Sequence, residues 1–461
     1  MDRQPGVTVA DMMQAREARY MMQQAMLTRY PGASLVCLTM NIAGPVKRTE
    51  NILRAFAWGA EEIRAVLAAH RLLFDASIDE ITGPEAVFVV DGDAREIKRR
   101  LCALEDGCAL GRLMDIDVIA PDGGKIARTE LGLPARRCLL CGEPAPVCAR
   151  SRTHTVEALF ARTNEIIDAH FEDAYARRAA QQAQRALLYE AAIAPKPGLV
   201  DRLNAGAHDD MDLFTFIDSA CALRIYFETC VRMGLAHRGG EAAACFDSLR
   251  VPGLQAEAAM KRATGGVNTH KGAIFSLGIY CAALGMGYDG ESSDVRAALA
   301  RCGEMTRAQM ERELAAIETG EARSFGEQIY RTRRVGGVRA EAAGGFASVR
   351  LHALPRLCEA LDAGLGLNDA GLCALAELMA CTQDTNALRR GGETAARVLA
   401  ETAASLSDDM AAAIEDGTIA ARMAGFRERL AVWDREMSAA RISPGGCADL
   451  LALTLLARFM E

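Results

Sequence analysis

The sequence predicts two domains, an N-terminal α+β domain with a mixed sheet and a C-terminal domain built only of helices. Residues 1–176 mix strand-like and helix-like hydrophobic periods, whereas alanine-rich helical segments and short glycine loops continue from about residue 178 onward. Half of the 461 residues are hydrophobic but only 5% are aromatic, which favours helices packed through alanine and small aliphatic side chains. The length also exceeds that of one typical domain. We therefore expect domains over 1–176 and 177–461.

The elements of the first domain follow from changes in hydrophobic period. Residues 34–42 alternate like a half-buried strand, and residues 49–70 have helical spacing. Residues 85–90 predict a second strand, which leads through Asp-Gly-Asp into a helix near 94–105. Residues 111–120 predict a third strand, and the sequence PDGG turns the chain back into KIAR as a hairpin.

The second domain is expected to open with a helix over residues 173–193, after which strand signals stop. The net charge of −8 and the absence of a basic block argue against nucleic-acid binding. Fifteen scattered cysteines are typical of reduced cytosolic thiols. The N-terminus lacks the apolar core of a signal peptide, and the apolar run 450–460 is too short to span a bilayer. We expect a cytoplasmic protein without membrane contact.

Two carboxylates stand two residues apart in the third predicted strand. On a strand, Asp115 and Asp117 leave the same face while Ile116 and Val118 point into the core. Adjacent carboxylates repel unless a cation lies between them, and Mg²⁺ prefers oxygen ligands. Arg112 is a candidate phosphate partner. A strand with its polar face in water explains the pattern equally well.

A cysteine-rich segment follows this strand. Cys138, Cys141, Cys148 and His154 combine a C-x2-C pair with a further cysteine and a histidine, which is a ligand set for Zn²⁺. The later spacings are not those of a standard zinc finger. Reduced thiols packing a loop are therefore favoured over zinc.

Three polar loops interrupt the apolar helices of the second domain, at 195–216, 265–273 and 382–392, with a weaker fourth at 333–346. Each is explained singly as a solvated connection that ends a helix. Together, carboxylates, amides, cations and glycines at several helix ends can converge on one polyphosphate pocket with Mg²⁺. The candidate phosphate- or substrate-binding residues are Lys196, Asn204, His208, Gly265, Gly266, Asn268, Lys271, Asn386, Arg389 and Arg390.

Lysine usage adds a small argument. Only six of the 53 basic residues are lysines, and two of them, Lys196 and Lys271, lie in glycine-rich loops. A compact ammonium in such a loop suits a phosphate, although chance explains two of six as well.

The motifs resemble a pair of known enzyme families. The stretches KPGLVD, GGVNTHKG and TQDTN, in this order, resemble triphosphoribosyl-dephospho-coenzyme A synthase over nearly all of 178–461. The stretches GRLMDIDV and CLLC…CARSRTH resemble the nucleotidyltransferase-like enzyme that attaches the prosthetic group to the acyl carrier subunit of citrate lyase. The whole chain is similar to the fused bifunctional form.

The resemblance implies two reactions. The second domain would join ATP to 3′-dephospho-coenzyme A, release adenine and form 2′-(5″-triphosphoribosyl)-3′-dephospho-coenzyme A. The first domain would transfer the phosphoribosyl-dephospho-coenzyme A unit to a serine of the apo acyl carrier subunit and release diphosphate. Mg²⁺ is implied in both reactions.

The residues suit this chemistry. Displacing adenine requires a base for the attacking hydroxyl and stabilisation of a cation-like carbon. Asp201 and Asp384 are the candidates, one as base and one as metal ligand, in an order that stays open. His208 or His270 could protonate adenine, or could simply form loop hydrogen bonds. Lys271 would be the counter-charge of the triphosphate.

Two other functions fit the same residues. A Mg²⁺-dependent ribosyl hydrolase fused to a nucleotidyltransferase would use the same acids with water as acceptor. A nucleotide-sensing scaffold that docks a carrier protein would bind without turnover.

Overall fold

A computed structural model describes residues 6–319, 336–382 and 384–461, except for the side chains of 314–319, 386 and 389. The chain divides into two compact units, Met1–Phe171 and Glu172–Glu461. The division falls within one long helix, Val156–Ala192. Among the described residues, no helix is both long enough and apolar enough to cross a membrane.

The first unit contains one four-stranded sheet. Its elements are α1 (Val9–Arg29), β1 (Ser34–Met40), α2 (Glu50–Leu67), β2 (Arg71–Glu80), β3 (Gly83–Asp91), α3 (Ala94–Gly107), β4 (Met114–Ile119), α4 (Ala145–Ser151) and the start of α5 (Val156–Ala192). The strand order is β2-β3-β1-β4, and every neighbouring pair is antiparallel. The α+β prediction is confirmed, but the prediction of a mixed sheet is wrong, because no pair of described strands runs parallel.

Helices cover both faces of this sheet. Alternate side chains of β1, β3 and β4, including Val36, Phe88 and Ile116, pack against α2 and α3. The opposite face, including Leu35 and Val89, packs against α1. The period-two alternation of the strands therefore divides between two cores, as expected for a pleated sheet.

The first predicted strand and the helices near 49–70 and 94–105 are present, with differences of a few residues. Two details differ from expectation. Residues Leu110–Leu113 form a 3-10 turn, so β4 begins at Met114. The PDGG turn forms, but the returning segment makes only an isolated bridge between Ile119 and Lys125.

The second unit is helical, as predicted. After α5 it contains α6 (Leu213–Ala236), α7 (Ala242–Ser248), α8 (Arg250–Ala263), α9 (Lys271–Met286), α10 (Val295–Thr319), α11 (Gly337–Ala343), α12 (Leu354–Asp362), α13 (Leu367–Cys381), α14 (Thr385–Glu415), α15 (Ile419–Ala439) and α16 (Gly445–Met460). A positive φ of 71° at Gly392 interrupts α14.

Helix α9 is the buried centre of this unit. Its residues from Ala273 onward are buried nearly all round, which is the pattern of a helix enclosed by other helices. Glycines let α6 approach it closely, since a methyl group on Gly234 would lie 2.0 Å from the carbonyl oxygen of Ala282. This contact fixes the position of α9 and therefore of its first residues, Lys271 and Gly272.

Candidate functional site

A cavity of about 1470 Å³ lies within the second unit. The first residues of three helices line it: Lys271 of α9, Thr385 of α14 and Gly445 of α16. The start of a helix presents unpaired backbone N–H groups and a partial positive charge. Three such ends at one cavity make a site suited to a large anion.

Two acidic side chains approach these helix starts through glycines. The carboxylate of Asp449 lies against Gly272, where an added methyl group would be 1.9 Å from Oδ2. Oδ2 of Asp384 would be 2.9 Å from a methyl group on Gly446. All four residues line the cavity. The glycines thus provide the space that brings carboxylates to the anion site.

The environments of the two aspartates differ. Asp384 accepts hydrogen bonds from the backbone N–H groups of Ala387 at 3.0 Å and Cys447 at 3.1 Å, one on each oxygen. Desolvation raises the pKa of Asp449 well above its usual range, and the negative charges of Glu190 and Asp384 raise it further. Asp384 was a candidate from the sequence, whereas sequence reasoning missed Asp449.

His270 lines the same cavity and is buried. Its Nδ1 lies 2.7 Å from the hydroxyl of Ser219, which accepts a hydrogen bond from Thr269 at 2.8 Å. Burial, with a smaller effect of the Lys196 charge, lowers the pKa of His270 to about 3. The imidazole is therefore neutral at pH 7. Because Thr269 donates to Ser219, Ser219 can donate to Nδ1, which leaves the proton of His270 on Nε2.

Other predicted residues lie at the same cavity. Lys271 is 59% exposed and pairs with Glu257 at 3.3 Å. Arg390 donates to the carbonyl oxygen of Ala207 at 3.2 Å. His208 lies 3.0 Å from the hydroxyl of Ser443, and desolvation lowers its pKa, followed by the charge of Arg390. Asn268 also lines the cavity. All three predicted loops therefore supply residues to one site, and residues 336–341 of the weaker fourth loop line the same cavity.

The remaining predicted residues of the first polar loop have structural contacts. The ammonium of Lys196 is buried and paired with Glu190. Asp201 accepts three backbone N–H bonds, from Lys196, Leu203 and Asn204. The amide of Asn204 donates to Asp434 at 2.8 Å. These contacts hold the loop together.

The glycine pair of the second loop forms a turn. Gly265 and Gly266 have positive φ values of 65° and 99°, which other residues rarely adopt, and both are exposed. The side chains of Asn386 and Arg389 lie outside the described residues.

The aspartates of β4 form a second acidic site, in the first unit. Asp115 and Asp117 leave the same face of β4, and Met114, Ile116 and Val118 are buried on the other, as predicted. Lys125 pairs with Asp117 at 2.6 Å.

Helix α1 brings a further cation to this face. Arg19 binds Glu85, and the register places Glu85 opposite Thr39 and Thr39 opposite Asp115. The hydrogen bonds that Arg19 donates to the Glu85 carboxylate raise the pKa of Arg19, and the charge of Asp117 adds a smaller effect. Sequence analysis missed Arg19.

Arg112 is held at the start of β4. Its guanidinium donates to the carbonyl oxygen of Arg137, and its buried Nε has no hydrogen-bond partner among the described residues. Beneath the strand, buried Glu105 accepts from the backbone N–H of Ile116 at 3.1 Å. β4 is therefore anchored from its buried side.

Gly272 provides a test of the packing at the second-unit cavity. Alanine usually stabilises a helix by about 0.5–1 kcal/mol relative to glycine. We expect that gain for Gly425→Ala, since Gly425 of α15 is exposed and an added methyl group meets no atom within 4 Å. Gly272→Ala is expected to cost about 1–3 kcal/mol instead, because the methyl group would collide with Asp449. Thermal denaturation of both variants checks the opposite signs, and equal shifts would contradict the close approach.

Two protein-family models match this chain. The family model described as ATP:dephospho-CoA triphosphoribosyl transferase matches residues 176–461, and that described as apo-citrate lyase phosphoribosyl-dephospho-CoA transferase matches residues 7–170. Protein CitXG of Haemophilus influenzae is 32% identical over 461 aligned residues, covering 97% of this chain and 95% of that protein. This chain belongs to the family of fused CitXG proteins.

Further relatives extend the comparison. Protein CitXG of Leuconostoc mesenteroides is 33% identical over 389 residues, covering 82% of each chain. A probable 2-(5''-triphosphoribosyl)-3'-dephosphocoenzyme-A synthase of Vibrio cholerae is 37% identical over 278 residues, covering 59% of this chain and 85% of that protein. The fused CitXG family member described here is a bifunctional transferase that makes and attaches the prosthetic group of citrate lyase. The resemblance drawn from the loop motifs is confirmed.

Proposed function

We propose that the cavity of the second unit binds ATP with its triphosphate against the starts of α9, α14 and α16. The meeting of these three helix ends at one cavity is the observation that carries the proposal. Each end contributes roughly half a positive charge, which complements a polyphosphate. Lys271 and Arg390 add full charges, and Asn268 adds an amide.

Within this cavity, Asp384 is proposed to hold Mg²⁺ and Asp449 to act as the base. Asp384 presents its carboxylate to the cavity, and the backbone N–H groups of Ala387 and Cys447 fix its orientation there. Magnesium is commonly bound by one or two carboxylates together with substrate phosphates, and when bound would neutralise triphosphate charge. The raised pKa of Asp449 favours its carboxylate as a proton acceptor. The oxygens of Asp201 instead accept backbone N–H bonds within their own loop.

The reaction exchanges one bond at the ribose of ATP. The 2′-hydroxyl of dephospho-coenzyme A forms a bond to the anomeric carbon as the bond from that carbon to adenine breaks. Asp449 takes the hydroxyl proton. His270 is neutral, so it donates a hydrogen bond from Nε2 to the departing base rather than acting as a charged acid. The departing adenine takes its proton from the hydrogen-bonded chain of Thr269, Ser219 and His270 or from solvent.

The first unit is proposed to transfer the phosphoribosyl-dephospho-coenzyme A unit to a serine of the apo acyl carrier subunit. Asp115 and Asp117 project together from β4, and Arg112 is held next to the start of that strand. Paired carboxylates are suitable ligands for Mg²⁺, which would offset the charge on the phosphate and on the leaving diphosphate. Arg112 supplies a fixed cation for the same phosphate. The acceptor implies a carrier protein as partner.

Mass spectrometry of apo acyl carrier protein incubated with the chain, ATP, Mg²⁺ and dephospho-coenzyme A tests the whole proposal. The expected result is a mass increase of one phosphoribosyl-dephospho-coenzyme A unit, with adenine released. A ribosyl hydrolase would release adenine from ATP alone. A sensing scaffold would bind nucleotide with no turnover in either half.

Lys271→Ala is expected to raise the KM for ATP at least tenfold, because the triphosphate loses a counter-charge at the start of α9. Lys271→Arg should restore part of the loss, since it keeps the charge but not the compact ammonium. The matched control is Lys261→Ala, which removes an exposed lysine from the last turn of α8. Steady-state adenine release measures all three. An unchanged KM for Lys271→Ala would show that Lys271 only forms its ion pair with Glu257 and does not bind the triphosphate.

A further inference from the structure

The cysteine-rich segment of the first unit is brought together in space. One ligand atom from each of Cys138, Cys141, Cys148 and His154 lies within 4.8 Å of the others. The Sγ atoms of Cys141 and Cys148 are 3.3 Å apart. Three thiols and one imidazole with ligand atoms this close together form a set suited to one metal ion.

Backbone geometry shapes the first two ligands into a tight turn. The N–H of Cys138 donates to the carbonyl oxygen of Glu143, and the N–H of Leu140 points at Sγ of Cys138 at 3.5 Å. Gly142 supplies the positive φ of 74° that closes the turn. A backbone N–H directed at sulfur stabilises a thiolate and orients it.

The other two ligands come from α4 and the turn after it. Cys148 is buried on this seven-residue helix. Arg152 adopts a positive φ of 50°, and the N–H of Thr153 bonds back to the carbonyl oxygen of Cys148. This reversal returns His154 to the cluster, where its Nε2 is buried without a hydrogen-bond partner among the described residues. A buried nitrogen without a partner is costly unless something binds it.

We propose that Cys138, Cys141, Cys148 and His154 bind one Zn²⁺ ion in a structural site. Zinc–sulfur bonds of about 2.3 Å in a tetrahedron place sulfur atoms about 3.8 Å apart. The widest separations in the cluster would therefore shorten by about 1 Å or less, and the 3.3 Å separation of the Cys141 and Cys148 sulfurs would widen by about 0.5 Å. Three thiolates and one imidazole complete the tetrahedron, which leaves no open position for substrate and excludes a catalytic zinc. The spacing in the sequence favours reduced thiols, whereas the three-dimensional arrangement favours zinc.

Zinc would also stabilise the short helix of this segment, α4. A seven-residue helix is too short to be stable by itself, and metal binding supplies folding free energy in such segments. Leu139 packs against the core residues beside Ile52 and Leu113, so the turn is tied to the body of the unit.

The site is linked to β4 through two arginines that precede Cys138. Arg136 donates to the carbonyl oxygen of Met114 and pairs with Glu105, and the carbonyl oxygen of Arg137 holds Arg112. Loss of zinc is therefore expected to disturb Arg112 and the start of β4. This consequence rests on the proposed function of the first unit, whereas zinc binding does not.

Elemental analysis of the full chain, purified without a histidine tag or chelator under reducing conditions, tests the proposal. One zinc per chain is expected. Cys138→Ser and His154→Ala should lose zinc, whereas His154→Cys should retain it because four ligands remain. Cys108→Ser is the control, since Cys108 is a partly exposed cysteine of the same unit outside the cluster, and should keep one zinc.

Cobalt gives a readout that is independent of activity. Chelator-treated chain titrated with Co²⁺ should develop the visible absorption of a tetrahedral thiolate site at one equivalent, in the Cys108→Ser variant but not in Cys138→Ser. Zinc-free protein that takes up neither Zn²⁺ nor Co²⁺ would overturn the proposal. Iron in place of zinc, or a Cys141–Cys148 disulfide found by mass spectrometry, would overturn it as well.

Discussion

Asp384→Asn is expected to lower adenine release from ATP and dephospho-coenzyme A by on the order of a hundredfold or more. Asp384 lies at the start of α14 and lines the cavity, where it is the proposed Mg²⁺ ligand. Asparagine keeps the shape of the side chain but removes the negative charge that would hold the metal, and the triphosphate would then lose that counter-ion. Release of adenine is measured directly by chromatography.

The same variant should still label the carrier protein when the triphosphoribosyl intermediate is supplied, because the first unit is unchanged. Asp434→Asn is the matched control, since Asp434 is a similarly buried carboxylate of the same unit that bonds to Gly198 and Asn204 instead of lining the cavity. It should cost stability but retain adenine release per folded molecule. Normal adenine release by Asp384→Asn would show that Asp384 has no role in the reaction.

The loops of the second unit were predictable as a group because each had the same composition. Glycines next to cations and carboxylates interrupt an apolar helical background, and such segments end up where helices begin. The burial of Lys196 was not predictable, because its partner Glu190 lies on the preceding helix, α5. A lysine in a glycine-rich loop has the same local sequence whether it meets a phosphate or a glutamate.

Asp449 escaped sequence analysis although a signal was present. It follows the glycine pair Gly445–Gly446, the same signal that drew attention to the loop before Lys271. Asp449 lies in an otherwise apolar run, and this pattern predicts a buried helix and not a site residue. Its contact with Gly272 joins positions far apart in the chain, which no local pattern reveals.

The sheet of the first unit shows that exposed strands are hard to predict from sequence. Strand β2 was missed because most of its side chains are exposed, so its sequence lacks clean alternation. Without β2, the antiparallel hairpin with β3 could not be recognised, and the sheet was expected to be mixed. The buried strands β1, β3 and β4 were found because their apolar periods are strong.

Asp117→Asn is expected to abolish labelling of the carrier protein while leaving adenine release unchanged. Serine is a weak nucleophile, and the phosphate that it attacks is negatively charged. A Mg²⁺ held by Asp115 and Asp117 would offset that charge and favour departure of diphosphate, so removing one carboxylate should cost on the order of a hundredfold. Carrier mass shift measured beside adenine release gives both activities in one assay.

Two controls separate this role from a structural one. Lys125→Ala breaks the ion pair with Asp117 but keeps the carboxylate, so labelling should persist if the carboxylate matters for chemistry and fall if only the pair matters. Asp122→Asn removes a nearby exposed carboxylate that accepts the N–H of Gly124 in the PDGG turn, and should change neither activity. If Asp117→Asn labels the carrier at the normal rate, the aspartates are only the polar face of β4, and the phosphate must be neutralised by cations such as Arg112 and Arg19 alone.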